Sequence, residues 1–463
     1  MFEVDTTLIV IGLLLLMVFA GIHVAVALGI TAIVGLLLVT DGNFQRTSFF
    51  LGSTAYEALR AYVFAVVPLF MLMGEFVARS GAAADVYEGI NRKLTRVRGR
   101  LAHATVLGNA IFAFVTGTSL ASATAFTRIA YPQMKRFGYN RSFALGSIAG
   151  SACLGMLIPP SLFMVVWGIL TEQSIGILFI AGVIPGFMLA GMMIVYIFLV
   201  AYLKPDWVGM GGDQPAPQAV GADVTPAAVQ MENPDDAVGA TGSDTRQGQI
   251  ISYVGIAAVV FGVLGGIWMG WYTPTEGAGI GAVIGLVLGI AKGLSMHQVY
   301  DAVLSVARSA VPIMILLFAA QLYSRVLALA GVGTAVQQFF IGTGLDPWQI
   351  LVVMVIIWFI MGMLIDSVSI MLLTVPIFAP LAVSIGFDPV AFALIGILAI
   401  EAGILTPPFG LLVYAVRAVC PDKDISMIQV FAGSTPYWML LLIVMVLVAF
   451  FPGIVTFLPE LIK

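Results

Sequence analysis

Apolar runs of membrane-spanning length recur from Leu8 to Pro452, separated by short polar or basic breaks. A hydrocarbon core of ~30 Å takes about 20 helical residues at 1.5 Å each, so the pattern predicts about ten crossings. The first run, Thr7 to Thr40, would make a helix of roughly 50 Å, too long for one crossing, and is expected to split near Gly21 into two. Asn43 to Arg60 mixes Arg46, Glu57 and Arg60 with Phe49, Phe50, Leu51 and Leu59, the pattern of a helix lying in the interface, and Ala61 to Arg79 then crosses.

Charge placement changes this picture. The basic loops Asn91 to Arg100 and Lys135 to Arg141 are both expected on the cytoplasmic side, so the chain between them must leave and return. That stretch, about 101–132, gives each side of the polar Thr116-Gly117-Thr118-Ser119 an arm of only about 22 Å, which predicts a re-entrant hairpin. Non-helical backbone at membrane depth is tolerated only where protein buries it or a wet cavity bathes it, so the tip is expected at a site. A span over 142–171 follows, broken at Gly155 and Pro159-Pro160. The polar, acidic stretch 204–249 is expected to be a disordered cytoplasmic linker.

The chain then repeats itself. Gly138 to Pro160 (GYNRSFALGSIAGSACLGMLIPP) and Gly386 to Pro408 (GFDPVAFALIGILAIEAGILTPP) align over 23 residues without a gap, at an offset of 248. Val67-Pro68 pairs with Val311-Pro312, Gly81 with Gly331, and the interfacial stretch Leu294 to Arg308 with Asn43 to Arg60. Five crossings and one hairpin per copy make the second copy enter upside down. The expected fold is therefore an all-α polytopic membrane protein of about ten transmembrane helices plus two re-entrant hairpins. Residues 1–203 form the first inverted repeat and 250–463 the second, with its hairpin at about 348–382 and its broken helix at 390–418.

Composition agrees: 60% of residues are hydrophobic and 10% charged, a balance suited to lipid, with no nucleic-acid partner. The start, Met-Phe-Glu-Val-Asp, carries acid where a signal peptide needs base, so the first helix is expected to be retained with its N-terminus outside the cytoplasm. Cys153 and Cys420 read as core residues, and His23, His103 and His297 as structural ones. Thr273-Pro274-Thr275-Glu276 obeys helix-start rules.

Candidate chemistry gathers at the hairpin tips. Thr116, Thr118, Ser119 and Ser122 in the first, and Gly362, Asp366, Ser367 and Ser369 in the second, offer hydroxyls, a carboxylate and flexible backbone. Such hard oxygen ligands suit a small cation such as sodium, while nearby helix N-termini suit an anionic substrate. The bland reading of small and hydroxyl residues is close helix packing. Buried charge is costly, which adds Arg128, Glu401 and Arg417 to the candidates. An intramembrane hydrolase would need a nucleophile and base or paired aspartates, which the core does not supply, so an enzyme is not expected. A channel suits inverted hairpin repeats less well than alternating access.

At these motifs the sequence resembles the large membrane subunit, the DctM-like M subunit, of tripartite ATP-independent periplasmic (TRAP) transporters, within the ion transporter superfamily. The residues carrying the likeness are TGTSLASATAFTRIAYPQMKRFGY from Thr116, GMLIPPS from Gly155, LFIAGVIPG from Leu178, YTPTEGA from Tyr272, IDSVSIMLLTVPIFAPLA from Ile365 and GILTPPFGL from Gly403. The resemblance implies sodium-coupled uptake of an organic acid, such as a C4-dicarboxylate, keto acid or sugar acid, by an elevator motion in a bacterial inner membrane. It implies two partners, a small Q (DctQ-like) membrane subunit and a soluble periplasmic substrate-binding protein. By matching motifs, one sodium site draws on Thr116, Gly117, Thr118 and Ser119 with Gly155 and Pro159. The other draws on Gly362, Asp366 and Ser367 with Gly403, Thr406 and Pro407. Substrate contacts are expected at Ser119, Ser122, Arg128, Ser369 and Arg417. Arg128 stands where many relatives carry a small or apolar residue and Arg417 where small residues are common, and proton coupling through Asp366 or Glu401 is the alternative.

Overall fold

The computed structural model describes residues 2–209 and 246–462, and within them the chain is helical throughout, with one isolated antiparallel bridge between Tyr139 and Val208. The helices are α1 (Phe2–Phe19), α2 (Val24–Val39), α3 (Phe44–Arg60), α4 (Val66–Arg79), α5 (Ala82–Lys93), α6 (Arg100–Thr116), α7 (Ser119–Ile129) and α8 (Tyr131–Arg136). Then come α9 (Arg141–Ala152), α10 (Leu154–Leu157), α11 (Leu162–Thr171) and α12 (Ile175–Leu203). The second half holds α13 (Arg246–Val259), α14 (Gly266–Trp268), α15 (Pro274–Ala291), α16 (Met296–Leu329), α17 (Val332–Gly342) and α18 (Pro347–Gly362). It ends with α19 (Ser367–Ser384), α20 (Pro389–Gly403), α21 (Leu411–Val419), α22 (Met427–Phe450) and α23 (Gly453–Ile462).

Local chemistry sets many of these boundaries. The first apolar run breaks where Gly21 turns at φ +78°, and His23 caps α2 by accepting from the Ala25 amide at 3.3 Å. Asn43 caps α3 through the Arg46 amide at 3.0 Å. Thr273 and Glu276 form a full capping box with Pro274 in the first turn of α15. The repeated Asn140 and Asp388 do one job, accepting from the Phe143 amide at 3.1 Å and the Ala391 amide at 2.8 Å to start α9 and α20.

Among the described residues, seven helices are long and apolar enough to cross a membrane, or eight if Arg141–Leu157 and Leu162–Thr171, bent by 40°, count as one span. Large apolar side chains stand out on the outer faces, including Leu8, Phe198, Phe261 and Ile443. In water this surface would be prohibitive, so the protein is a multi-pass membrane protein.

The core lies elsewhere. Residues 143–169 and 391–406 are buried without exception, so the two broken helices run through the middle of the molecule. They interlock reciprocally: α11, from the first half, packs on α19, while α21, from the second, packs on α7. The outer helices do the same, with α15 on α4 and α16 on α2. At the first of these contacts Gly281 and Gly285 let α4 approach so closely that a Cβ on Gly281 would meet Met73 Sδ at 2.4 Å.

Two expectations need revising. The interfacial stretch 294–308 and the crossing after it form one helix, α16, of 34 residues with Pro312 inside. In the first half the same stretch breaks at Ala61, where the backbone turns extended before a 3-10 turn over Tyr62–Ala65. At roughly 51 Å, α16 is too long for a hydrocarbon core, so part of it runs outside. The expected disordered segment 204–249 is ordered at both ends, while 210–245 lie outside the described residues. Lys204 sits 4.1 Å over the Trp207 ring, the Trp207 carbonyl accepts from the Asn140 amide at 3.0 Å, and Arg246 already begins α13.

Candidate functional site

The first hairpin is built by α6 and α7, joined through Gly117 at φ +59° and an extended Thr118. Phe112 and Phe126 rings meet at 5.8 Å, and Thr116 Oγ1 and Ser122 Oγ hydrogen-bond at 3.1 Å. Both pairs are centred in sequence on Ser119, next to the tip, so the arms run antiparallel. The second hairpin is built by α18 and α19. Its arms are joined by the Trp358 indole N–H, which donates to Thr374 Oγ1 at 2.7 Å, and by Trp358 against Phe378 at 5.3 Å.

Each tip is pressed against a helix break. At the first, the Leu162 amide donates to the Gly117 carbonyl at 3.0 Å, and Cβ atoms would meet the Pro160 carbonyl at 2.4 Å from Gly117 and the Thr118 carbonyl at 3.0 Å from Gly155. At the second, the Phe409 amide donates to the Met363 carbonyl at 3.3 Å, and Gly362 lies so near Gly403 that a Cβ on it would sit 2.8 Å from the Gly403 Cα. Thr406 Oγ1 donates to the Gly403 carbonyl at 2.6 Å and is buried. The Pro-Pro sequences explain these breaks locally, since proline ends the amide ladder and frees carbonyls.

Glu401 is where the two tips meet. It lies on α20 at 1% exposure, and Ser367, the first residue of α19, donates to its Oε1 at 3.5 Å. Ser119, the first residue of α7, and Cys153 between α9 and α10 approach the same carboxyl, yet Oε2 has no hydrogen-bond partner among the described residues. A carboxyl buried this deeply must be neutralised, either by a proton or by positive charge nearby. Two helix N-termini supply part of it, each equivalent to about half an elementary charge. Neutral hydroxyl and carbonyl oxygens around one buried carboxylate are also the donor set of a small hard cation. The sequence signal for Glu401 is an acid inside an otherwise apolar run, but its position between both tips depends on tertiary packing.

The other sequence candidates divide by environment. Ser119, Ser122 and Ser369 are buried near the tips, as are Thr116, Gly117, Gly155 and Pro159. Asp366 is exposed and caps α19, its Oδ1 accepting from the Ser369 amide at 2.9 Å. Pro407 is exposed too, so the second break opens outward while the first, Pro159 to Ser161, is sealed. Arg128 lies half-buried in the last turn of α7. Arg417 clamps the loop that follows it, donating to the Lys423 and Ile425 carbonyls at 2.7 Å each.

Comparison with known proteins agrees with this architecture. A family profile described as "Tripartite ATP-independent periplasmic transporter, DctM component" matches residues 11–454. The C4-dicarboxylate TRAP transporter large permease protein DctM of Pseudomonas aeruginosa is 30% identical over 94% of both chains. The ectoine TRAP transporter large permease protein TeaC of Halomonas elongata is 26% identical over 97% of both, and the sialic acid TRAP transporter large permease protein SiaM of Vibrio cholerae 25% over 96% of both. Among solved structures, the Alcanivorax borkumensis YdaH transporter aligns with a TM-score of 0.62 over 90% of each chain at 14% identity, a likeness of fold. A multi-pass helical chain whose interlocked hairpins and broken helices match this profile almost end to end belongs to the DctM-component family of tripartite ATP-independent periplasmic transporters, and it is a transporter permease rather than an enzyme.

Proposed function

We propose that this permease carries an organic acid across a bacterial inner membrane, drawing on the sodium gradient, by an elevator motion. The observation that carries the proposal is the meeting of both hairpin tips at the buried Glu401. With no basic partner among the described residues, this buried carboxyl is kept stable by a bound cation or by a proton, and the first of these couples it to sodium. The first ion site is assigned to Thr116, Gly117, Thr118 and Ser119 with Gly155 and Pro159, the second to Gly362, Asp366 and Ser367 with Gly403, Thr406 and Pro407. The reciprocal packing of α7 with α21 and α11 with α19 supports two inverted repeats whose central elements travel as one body against the outer helices. Substrate carboxylates would be held at the N-termini of α7 and α19, near Ser119, Ser122 and Ser369. The names of the relatives, covering C4-dicarboxylates, sialic acid and ectoine, support an organic acid or related zwitterion as cargo. A soluble periplasmic binding protein would deliver it, and a small membrane subunit would flank the outer helices.

The test is thermal stability of the purified chain in sodium against matched potassium and choline, which needs no knowledge of the cargo. A ligand at 100 times its dissociation constant stabilises by about 2.7 kcal/mol. A sodium-specific rise that is reduced in Thr406→Val and Glu401→Gln supports the assignment. A rise that depends on pH with no preference for sodium would move the coupling to protons.

A further inference from the structure

A cleft of about 200 Å³ opens where the first basic loop meets α6, lined by Arg96, Arg98, Arg100 and Tyr139 and floored by Val208 and Gly209. Among the described residues its charge is uncompensated. Arg92 pairs with Glu88, and Lys135 and Arg141 pair with Asp422, whereas Arg96, Arg98 and Arg100 face no carboxylate among the described residues. Arg100 is held in place over the Phe137 ring at 5.1 Å, and the Leu101 amide donates to Tyr139 Oη at 3.2 Å, fixing the back wall. The 17-residue α6 begins in the cleft at Gly99, φ +73°, with no side-chain cap, so the positive end of its dipole faces whatever sits there.

The surroundings say which anion this is. The last turns of α12, beside the cleft, expose Phe198, Leu199, Tyr202 and Leu203, and the His103 ring of α6 stands edge-on to Phe198 at 5.4 Å. Lys204 over Trp207 continues the rim. An apolar flank ending in Tyr, Lys and Trp is the composition of a membrane interface, and basic loops mark its cytoplasmic side. An arginine fork above acyl-facing side chains matches a phosphodiester carried on lipid, and arginine recognises that group bidentately.

We propose that the cleft between Arg96, Arg98, Arg100 and the start of α6, set against the apolar end of α12, binds the phosphate of an anionic phospholipid from the cytoplasmic leaflet. The site is separate from the hairpin tips and independent of the coupling ion.

The test compares the wild-type chain with Arg96→Gln/Arg98→Gln, both exposed positions, and with Lys423→Gln/Lys463→Gln, which removes equal charge outside that loop. Each is purified in detergent and titrated with phosphatidylglycerol or phosphatidylcholine micelles, reading retained lipid by native mass spectrometry and melting temperature. Wild type should retain phosphatidylglycerol in preference to phosphatidylcholine, and the two arginine changes should weaken that retention about tenfold. Arg98→Gln alone should give an intermediate loss, and the lysine variant should match wild type. Equal loss in the lysine variant, or none in the arginine variant, would overturn the site. Displacement of the lipid by 10-fold excess inorganic phosphate over lipid would overturn the lipid as its ligand.

Discussion

Asp85 Oδ2 and Lys292 Nζ meet 2.5 Å apart at nearly complete burial, although 207 residues separate them. Ser252 Oγ donates to the same carboxylate oxygen at 2.5 Å, so one anion ties the helix after α4 to α13 and to the end of α15. Removing one partner takes the opposite charge away from a buried ion, which is costly. Lys292→Met is therefore expected to lower stability by about 3–5 kcal/mol. Asp85→Asn/Lys292→Met together should cost less than the two single changes summed, measured by thermal unfolding in detergent.

Asp422 gives a pH dependence of known sign. Burial alone would raise its carboxyl, but hydrogen bonds from Lys135 and Tyr131 and the charges of Lys135 and Arg141 outweigh that and hold it below its ordinary value of 3.8. A depressed carboxyl contributes stability that is present above the unfolded value and lost as pH falls through the lower folded one. Lys135 is half-exposed, so the contribution is about 1 kcal/mol or less. Asp422→Asn should melt below wild type at pH 7, and the two curves should converge as the pH is taken under 3.8.

Gly362→Ala places a methyl group 2.8 Å from both the Gly403 Cα and the Ile400 carbonyl, which are backbone and cannot step aside. Overpacking of this kind costs about 1–3 kcal/mol. The second tip should be pushed off its break, lowering the melting temperature and abolishing half or more of any sodium-specific rise. Gly191→Ala, in open space on α12, is the control.

Thr374→Val keeps the shape of the side chain and removes the acceptor for the buried Trp358 indole. Leaving that donor unsatisfied should cost about 1–3 kcal/mol by thermal unfolding.

What the sequence made legible was local. Asn140 and Asp388, matched across the repeat, are both helix caps, and Gly81 and Gly331 both turn in the left-handed region at φ +74° and +66°. The hairpin arms, the Pro-Pro breaks and the capping box at Thr273 follow likewise from short-range rules. Distant contacts were not legible. Glu401 reads in sequence as one acid among several, and only the convergence of α7, α19 and α20 sets it apart. Arg417 reads as a charge in an apolar span, but the chain folds back to offer it two carbonyls. The continuity of α16 depends on Pro312 being accommodated inside a helix, which its dipeptide motif does not announce.

The crossed pairing of α11 with α19 and of α21 with α7 also bears on how the chain is made. While the ribosome is still producing the second half, the first half sits in the bilayer with α7 and α11 lacking the surfaces they will later bury. Ser119 of α7 is buried in the finished protein beside Glu401 of the second half, a polar partner that lipid cannot replace. The nascent protein must therefore remain shielded, by the insertion machinery or by its own loose helices, until α19 and α21 arrive, and a half produced alone is expected to be cleared rather than accumulate.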